Sequence, residues 1–285
     1  MSVRFDVVSI IGVGLLGGSL GLALKARQLA RTVLGVGHRQ SSLDSALAVK
    51  AIDQAFLDLR PGIAEADLIV ICTPAALVPS KLDEIRPLCS SRAVATDVAS
   101  TKAAICAHAA ATWPKPLRFV GSHPMAGSEK FGPEHAQPDL YQGYVTIVTS
   151  DKDTDPEAHQ TVCELWRAVG ARVVELDAET HDRIVAQTSH VPHLLAACLA
   201  EVVARAGDVS GIVGNGFRDM TRVAAGRSEI WRDICTTNRE AILAGLDTLA
   251  DELARARRLV AENAGEGLET FFRSAQQARR KVLGE

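Results

Sequence analysis

Short apolar runs rich in β-branched residues recur along the first part of the chain, at Val7–Ile11, Val33–Val36, Leu68–Cys72, Ala93–Asp97, Phe119–Gly121, Val145–Thr149 and Val173–Leu176. Helical spacing fills most of the gaps, as in Leu16–Lys25, Ser42–Val49 and Glu157–Val169. Strands alternating with helices at this interval predict right-handed βαβ units and a mostly parallel sheet, hence an α/β domain. From about Glu179 the strand pattern stops. Helix then follows helix, rich in Ala and Leu, with breaks near Gly207–Gly216 and Gly265–Gly267. The change predicts a boundary, with an α/β domain over 1–178 and an all-α domain over 179–285. In the helical part Ile242, Leu246, Leu249, Leu253, Ala256 and Val260 recur at four-three spacing and share one side of a long helix. Such a stripe serves either packing within its own domain or a seam between two subunits.

The first run passes directly into Gly12-Val13-Gly14-Leu15-Leu16-Gly17, followed by Gly18, Ser19 and a helix. Gly12 allows a tight turn, Gly14 lets the backbone approach a pyrophosphate, and Gly17 lets helix and strand pack closely. The helix start at Leu15 and Leu16 offers free N–H groups and a positive dipole end to the phosphates. Between a strand and a helix at the head of a βαβ pattern, this spacing predicts a dinucleotide site. The end of the second strand selects which dinucleotide. An acidic residue there accepts the ribose 2′-hydroxyl of NAD, but the chain reads Gly37-His38-Arg39-Gln40-Ser41, with a cation and no carboxylate. Arg39, Ser41 and His38 suit a 2′-phosphate through charge-assisted hydrogen bonds, so NADP is expected to be preferred, with NAD possible as a second choice. Cys72-Thr73-Pro74 ends the third run, where Thr73 and Pro74 are expected to shape the floor beside a ribose.

Composition narrows the classes. The 285 residues are 47% hydrophobic and 23% charged, which is ordinary for a protein with a sizeable core. The net charge of -3 supplies no basic surplus for nucleic acid. No stretch approaches the roughly 20 apolar residues of a membrane span, and the N-terminal run leads into the glycine motif without a cleavage-type site. A cytoplasmic location is the simplest expectation. The cysteines, Cys72, Cys89, Cys106, Cys163, Cys198 and Cys235, form no C-x-x-C pair, and three sit in apolar runs that predict core positions. Reduced thiols are expected, with neither a disulfide framework nor a metal site.

Three segments gather polar groups where a core would not want them: Asp97-Val98-Ala99-Ser100-Thr101-Lys102, Gly121-Ser122-His123-Pro124-Met125-Ala126-Gly127-Ser128-Glu129, and Ser189-His190-Val191-Pro192-His193. Downstream follow Gly216-Phe217-Arg218-Asp219-Met220-Thr221-Arg222 and Trp231-Arg232-Asp233. Taken in order, G-x-G-L-x-G-x-S, D-V-x-S-x-K, H-P-M-A-G-x-E, S-H-x-P-H, G-F-x-D-x-T-R and W-R-D resemble the prephenate/arogenate dehydrogenase family of tyrosine biosynthesis across nearly the whole chain. The resemblance implies a Rossmann domain, an all-α C-terminal dimerisation domain that makes a homodimer, and oxidative decarboxylation of prephenate or its amino analogue arogenate with a nicotinamide cofactor. It implies catalytic roles for His123 and Ser100, with His123 accepting from the ring hydroxyl, as a neutral imidazole can. Pro124 biases His123 to an extended backbone. Arg222 is expected to grip the ring carboxylate with its planar fork. His193 is expected at the other end of the substrate, and Glu129, Asp219 and Trp231 match a gating network in the family.

His190, ahead of a proline, either contacts substrate or merely caps a helix. Lys102 is expected to pair with Asp97. His108, His135, His159 and His181 lie outside these motifs and are expected at the surface. A β-hydroxyacid dehydrogenase would place a lysine in a G-x-x-x-K-x-x-N helix after the boundary, but His190–Leu195 holds none. A dinucleotide sensor without turnover would need none of Ser100, His123 and Arg222. Prephenate and arogenate stay unresolved at this level.

Overall fold

The structure, a computed structural model, describes residues 4–127 and 130–285. Along the chain run β1 (Phe5–Ile11), α1 (Leu15–Ala26), β2 (Ala30–Val36), α2 (Gln40–Ala48), β3 (Gln54–Phe56), α3 (Leu59–Ile63), β4 (Leu68–Ile71), α4 (Val78–Ile85), β5 (Val94–Asp97), α5 (Ala103–Thr112), β6 (Phe119–Val120) and β7 (Ser122–Pro124). Then follow β8 (Val145–Thr149), α6 (Pro156–Ala168), β9 (Arg172–Leu176), α7 (Ala178–Val185), a π-helical turn at Ala186–His190, α8 (Val191–Ala204), α9 (Asn215–Thr221), α10 (Ser228–Thr237), α11 (Arg239–Ala261) and α12 (Gly265–Leu283). Two compact units result, 1–239 and 240–285.

The predicted alternation yields a six-stranded parallel sheet in the order β3-β2-β1-β4-β5-β6, the arrangement of a Rossmann fold. Its strands are covered on both faces because alternate residues enter opposite layers. Val8, Ile10, Leu68 and Val70 pack with Leu20 and Leu24 on one side, whereas Ile11, Ile69 and Ile71 pack with Val78, Leu82 and Ile85 on the other. Each such side chain contributes roughly 1.5–3 kcal/mol by leaving water, which is why two-sided burial is legible as unbroken apolar runs.

Two strands escaped the sequence pattern. Gln54–Phe56 is three residues long with a polar start, and Ser122–Pro124 carries a serine and a histidine. The expected run through Gly121 divides there. β6 pairs with β5 in the large sheet, and β7 joins a second sheet, antiparallel to β8, which is in turn parallel to β9. A side chain at Gly121 would meet Thr149 Oγ1 at 2.6 Å, so glycine permits the close passage between sheets.

Beyond Leu176 the described chain is helical. Asp177 opens α7 by accepting the Thr180 N–H at 2.7 Å, a side-chain cap that sets where His181 and Asp182 emerge. Within 240–285 the expected long helix is present as α11, and Leu253 and Val260 of its stripe are exposed. The six cysteines are free thiols; Cys163 is buried in the core, and half-buried Cys72, Cys89 and Cys106 pack against it. No helix among the described residues is long and apolar enough to cross a membrane.

Candidate active site

The carboxyl ends of β1, β4, β5 and β6 line up. Ile11 pairs with Ile71, Ile71 with Asp97, and Thr96 with Val120, so Gly12, Cys72, Val98 and Gly121 begin a common rim. Strand order reverses between β1 and β4, the place where open parallel sheets bind ligands. The glycine loop fits a dinucleotide there. Gly12 has φ +98°, and a side chain on it would come within 2.7 Å of the Cys72 carbonyl. A side chain on Gly17 would come within 2.2 Å of the Gly12 carbonyl. Gly14 instead faces open space within 4 Å, leaving room for phosphate at the start of α1, where Leu15 and Leu16 present backbone N–H groups. A cavity of about 370 Å³ adjoins Leu15. Thr73 supplies a further sign of a missing partner, because its hydroxyl is buried without a hydrogen bond, beside exposed Pro74. His38, Arg39 and Ser41 are exposed around the start of α2, and no described residue bonds the Arg39 guanidinium.

Next along the rim, Asp97 and Lys102 form a fully buried ion pair, as expected. Asp97 also accepts the Ala99 N–H at 3.0 Å and the Ser122 N–H at 3.2 Å, so one carboxylate ties β5 to β7. The Thr101 and Thr237 hydroxyls meet at 2.9 Å, joining this segment to α10. Half-buried Ser100 sits between these anchors, its own hydroxyl unclaimed by any described residue.

His123 is set in β7 by its pairing with Ile147 and is 8% exposed. Its Nδ1 lies 2.9 Å from Nε2 of His181, whose Nδ1 lies 2.7 Å from Oδ1 of Asp182. Asp182 further accepts the Lys102 and Ala103 N–H groups at 2.8 and 3.0 Å, at the start of α5. His181 is therefore fully buried, which corrects its expected surface position; His135 is exposed, and His108 and His159 are half-buried. Sequence reasoning missed His181, Asp182 and Asn238. Their one local signal was a His-Asp pair in the first turns of a capped helix.

The helical wall is built around Trp231. His193 stacks on it at 3.4 Å and 15°, His190 approaches edge-on at 6.1 Å, and Gly226 admits the indole where a side chain would stand 2.6 Å from its Nε1. His190 is 1% exposed, and the Asn238 amide that reaches its Nδ1 at 3.1 Å also donates to the Asp182 carbonyl at 2.8 Å. Asn238 thus links the two histidine groups. Arg222 and Asp219 are exposed at the junction of α9 with the turn Arg222–Ala225, which packs on α8, and neither has a partner among the described residues. Glu129 lies outside the described residues.

Burial holds the His123 imidazole well below its ordinary value, and the charges of His181, Lys102 and His190 push the same way. His181 is lowered by burial against the pull of Asp182, His190 is lowered by burial to about 4, and His193 is lowered by burial. At neutral pH the cluster is a set of neutral imidazoles, able to accept a proton. One other trio of ligand-type residues converges among the described residues, His159, Cys163 and Glu175. Glu175 there is already met by His159 at 3.6 Å and Arg167 at 3.5 Å, and burial pushes the Cys163 thiol up to about 11, away from the thiolate a metal needs.

Comparison with known proteins follows this division of labour. The family model for the prephenate dehydrogenase nucleotide-binding domain matches residues 20–175, and that for the prephenate dehydrogenase dimerization domain matches residues 177–274. The chain is 31% identical to prephenate dehydrogenase of Bacillus subtilis, over 96% of this chain and 75% of that one. It is also 31% identical to cyclohexadienyl dehydrogenase of Zymomonas mobilis, over 96% and 95%. The crystal structure of prephenate dehydrogenase from A. aeolicus in complex with hydroxyphenyl propionate and NAD+ superposes with a TM-score of 0.93 at 27% identity, covering 99% of this chain and all of that one.

Proposed function

The chain belongs to the prephenate dehydrogenase family, and from that premise we infer that it oxidises prephenate or arogenate with loss of carbon dioxide, giving 4-hydroxyphenylpyruvate or tyrosine. The observation that carries the reading is His123, a buried neutral imidazole on the sheet rim whose Nε2 is left unbonded by every described residue while Nδ1 is engaged. The nicotinamide, when bound, supplies the hydride acceptor. The protein's own groups then have to align the substrate and manage one proton.

His123 takes the proton of the ring hydroxyl as hydride departs, and Ser100 shares that hydroxyl. Arg222, without a partner among the described residues, holds the ring carboxylate through its fork. His193, kept flat against Trp231, meets the side-chain end of the substrate. His190 supports this wall through Asn238, and Asp219 lines the entrance. Gly12, Gly14, Leu15, Leu16 and Gly17 would hold the pyrophosphate, with Thr73 and Pro74 beside a ribose. His38, Arg39 and Ser41 favour a 2′-phosphate, so NADP is the preferred cofactor. The domains are 1–178 for cofactor and 179–285 for substrate and dimerisation, in a cytoplasmic homodimer.

A four-way assay of prephenate and arogenate with NAD and NADP tests the reading. Reduction of a nicotinamide coupled to carbon dioxide release is expected with at least one substrate. Its absence from all four combinations would refute the activity. A kcat/KM with NAD equal to or above that with NADP would refute the cofactor preference alone.

A further inference from the structure

The row His123–His181–Asp182 dictates where its protons sit. Asp182 already receives two backbone N–H groups at 2.8 and 3.0 Å and has lone pairs alone to offer, so His181 must present Nδ1–H to it. A neutral imidazole carries one N–H, which leaves His181 Nε2 bare. That nitrogen, 2.9 Å away, can then accept the Nδ1–H of His123. The same count leaves His123 Nε2 without a proton.

We propose that His181 and Asp182 are positioning residues that hold His123 as the Nδ1–H tautomer, with Nε2 bare for the substrate hydroxyl, and that stabilise its positive charge once it has taken the proton. The inference rests on His123 being the proton acceptor. As hydride leaves the carbinol carbon, the O–H bond breaks and its proton bonds to His123 Nε2. The carbon–carbon bond to the ring carboxylate then breaks, its electron pair completes the aromatic ring, and the phenol oxygen recovers the proton.

The surroundings make such a device necessary. Among the described residues, the titratable and charged groups around His123 are His181 and Asp182 from α7, His190 from the π-helical turn, and Asp97 and Lys102 from β5 and the start of α5. Burial and the Lys102 cation oppose a charged His123, and Asp97 is committed to Lys102. Among the described residues Asp182 is the carboxylate left to offset that charge, and it reaches His123 through His181. Asp182 is itself held in place by the start of α5, so the row is anchored at one end and open at the other.

Histidine nitrogen spectra of ¹⁵N-labelled protein at neutral pH give the direct test, with the His123 signals assigned by their loss in His123→Asn. Protonated Nδ1 and bare Nε2 on His123 are expected; a proton on Nε2 overturns the proposal, whatever the variants do. In kinetics, His181→Phe removes the acceptor and is expected to lower kcat by roughly 10- to 100-fold, part of what a general base contributes, with KM within about twofold. His181→Gln, whose side-chain oxygen can still accept from Nδ1, is expected to recover most of that loss. Equal loss in both variants, or none in His181→Phe, defeats the positioning role. If His123→Asn keeps full turnover, the reading of His123 itself fails; if it collapses while His181→Phe does not, the relay alone fails.

Discussion

Acidification should unfold this protein earlier than its carboxylates would require. His123, His181, His190 and His193 are all buried and all held below the ordinary imidazole value, chiefly by burial. In the unfolded chain each takes up a proton near 6.5, whereas in the folded state it resists until the pH is lower. Between those two points the unfolded state binds more protons, so stability falls as pH falls. For His190 the interval runs from 6.5 to about 4, which corresponds to roughly 3 kcal/mol. His123 and His181 act in the same direction. Against a typical total of about 5–15 kcal/mol, such a loss is readily measured. Urea unfolding at half-unit steps from pH 7.5 to 4.5 would follow it, beside His190→Gln, which keeps an acceptor for the Asn238 amide but does not titrate. The wild-type free energy is expected to begin falling just below 6.5. The variant's slope should be shallower by up to about 1.4 kcal/mol per unit, the value of one proton. Parallel curves for the two proteins would remove His190 from the account, and a wild-type curve flat down to pH 5 would show that the buried imidazoles do not carry the acid sensitivity.

Other perturbations address single contacts. Lys102→Met strands the fully buried Asp97 carboxylate and is expected to cost roughly 3–5 kcal/mol in denaturant unfolding; a loss below about 1 kcal/mol would mean that the pair is dispensable. Arg222→Ala should weaken substrate binding by roughly 2–5 kcal/mol if the guanidinium meets a desolvated carboxylate, read as a raised KM, and an unchanged KM contradicts that role. Arg39→Ala removes the cation at the start of α2 and should lower the kcat/KM ratio of NADP over NAD by roughly tenfold, worth one charge-assisted hydrogen bond or so. An unmoved ratio would send the search for the 2′-phosphate partner elsewhere.

Several of these residues could be named before any tertiary contact was known. Gly12, Gly14 and Gly17 declare a strand–turn–helix because their constraint is local, a positive φ at Gly12 and an approach of 2.2 Å at Gly17 that any side chain would block. Asp97 and Lys102 are five apart and share one connection, so their pairing could be anticipated. His181 could not be placed that way. It meets His123 across 58 residues, and nothing in its own neighbourhood distinguishes a relay from a surface histidine.

The chain's own order of apolar and polar residues determined the parallel sheet, the helical remainder and the glycine turn, because strand and helix periods and backbone sterics act over a few residues at a time. Tertiary structure alone decided that the strand through Gly121 changes sheets, that Asn238 bridges Asp182 and His190, and that Asp182 is held by the start of α5. Those contacts exist only once distant segments are packed out of water, where an unpaired polar group is costly and each donor must find the acceptor that the fold happens to bring within reach.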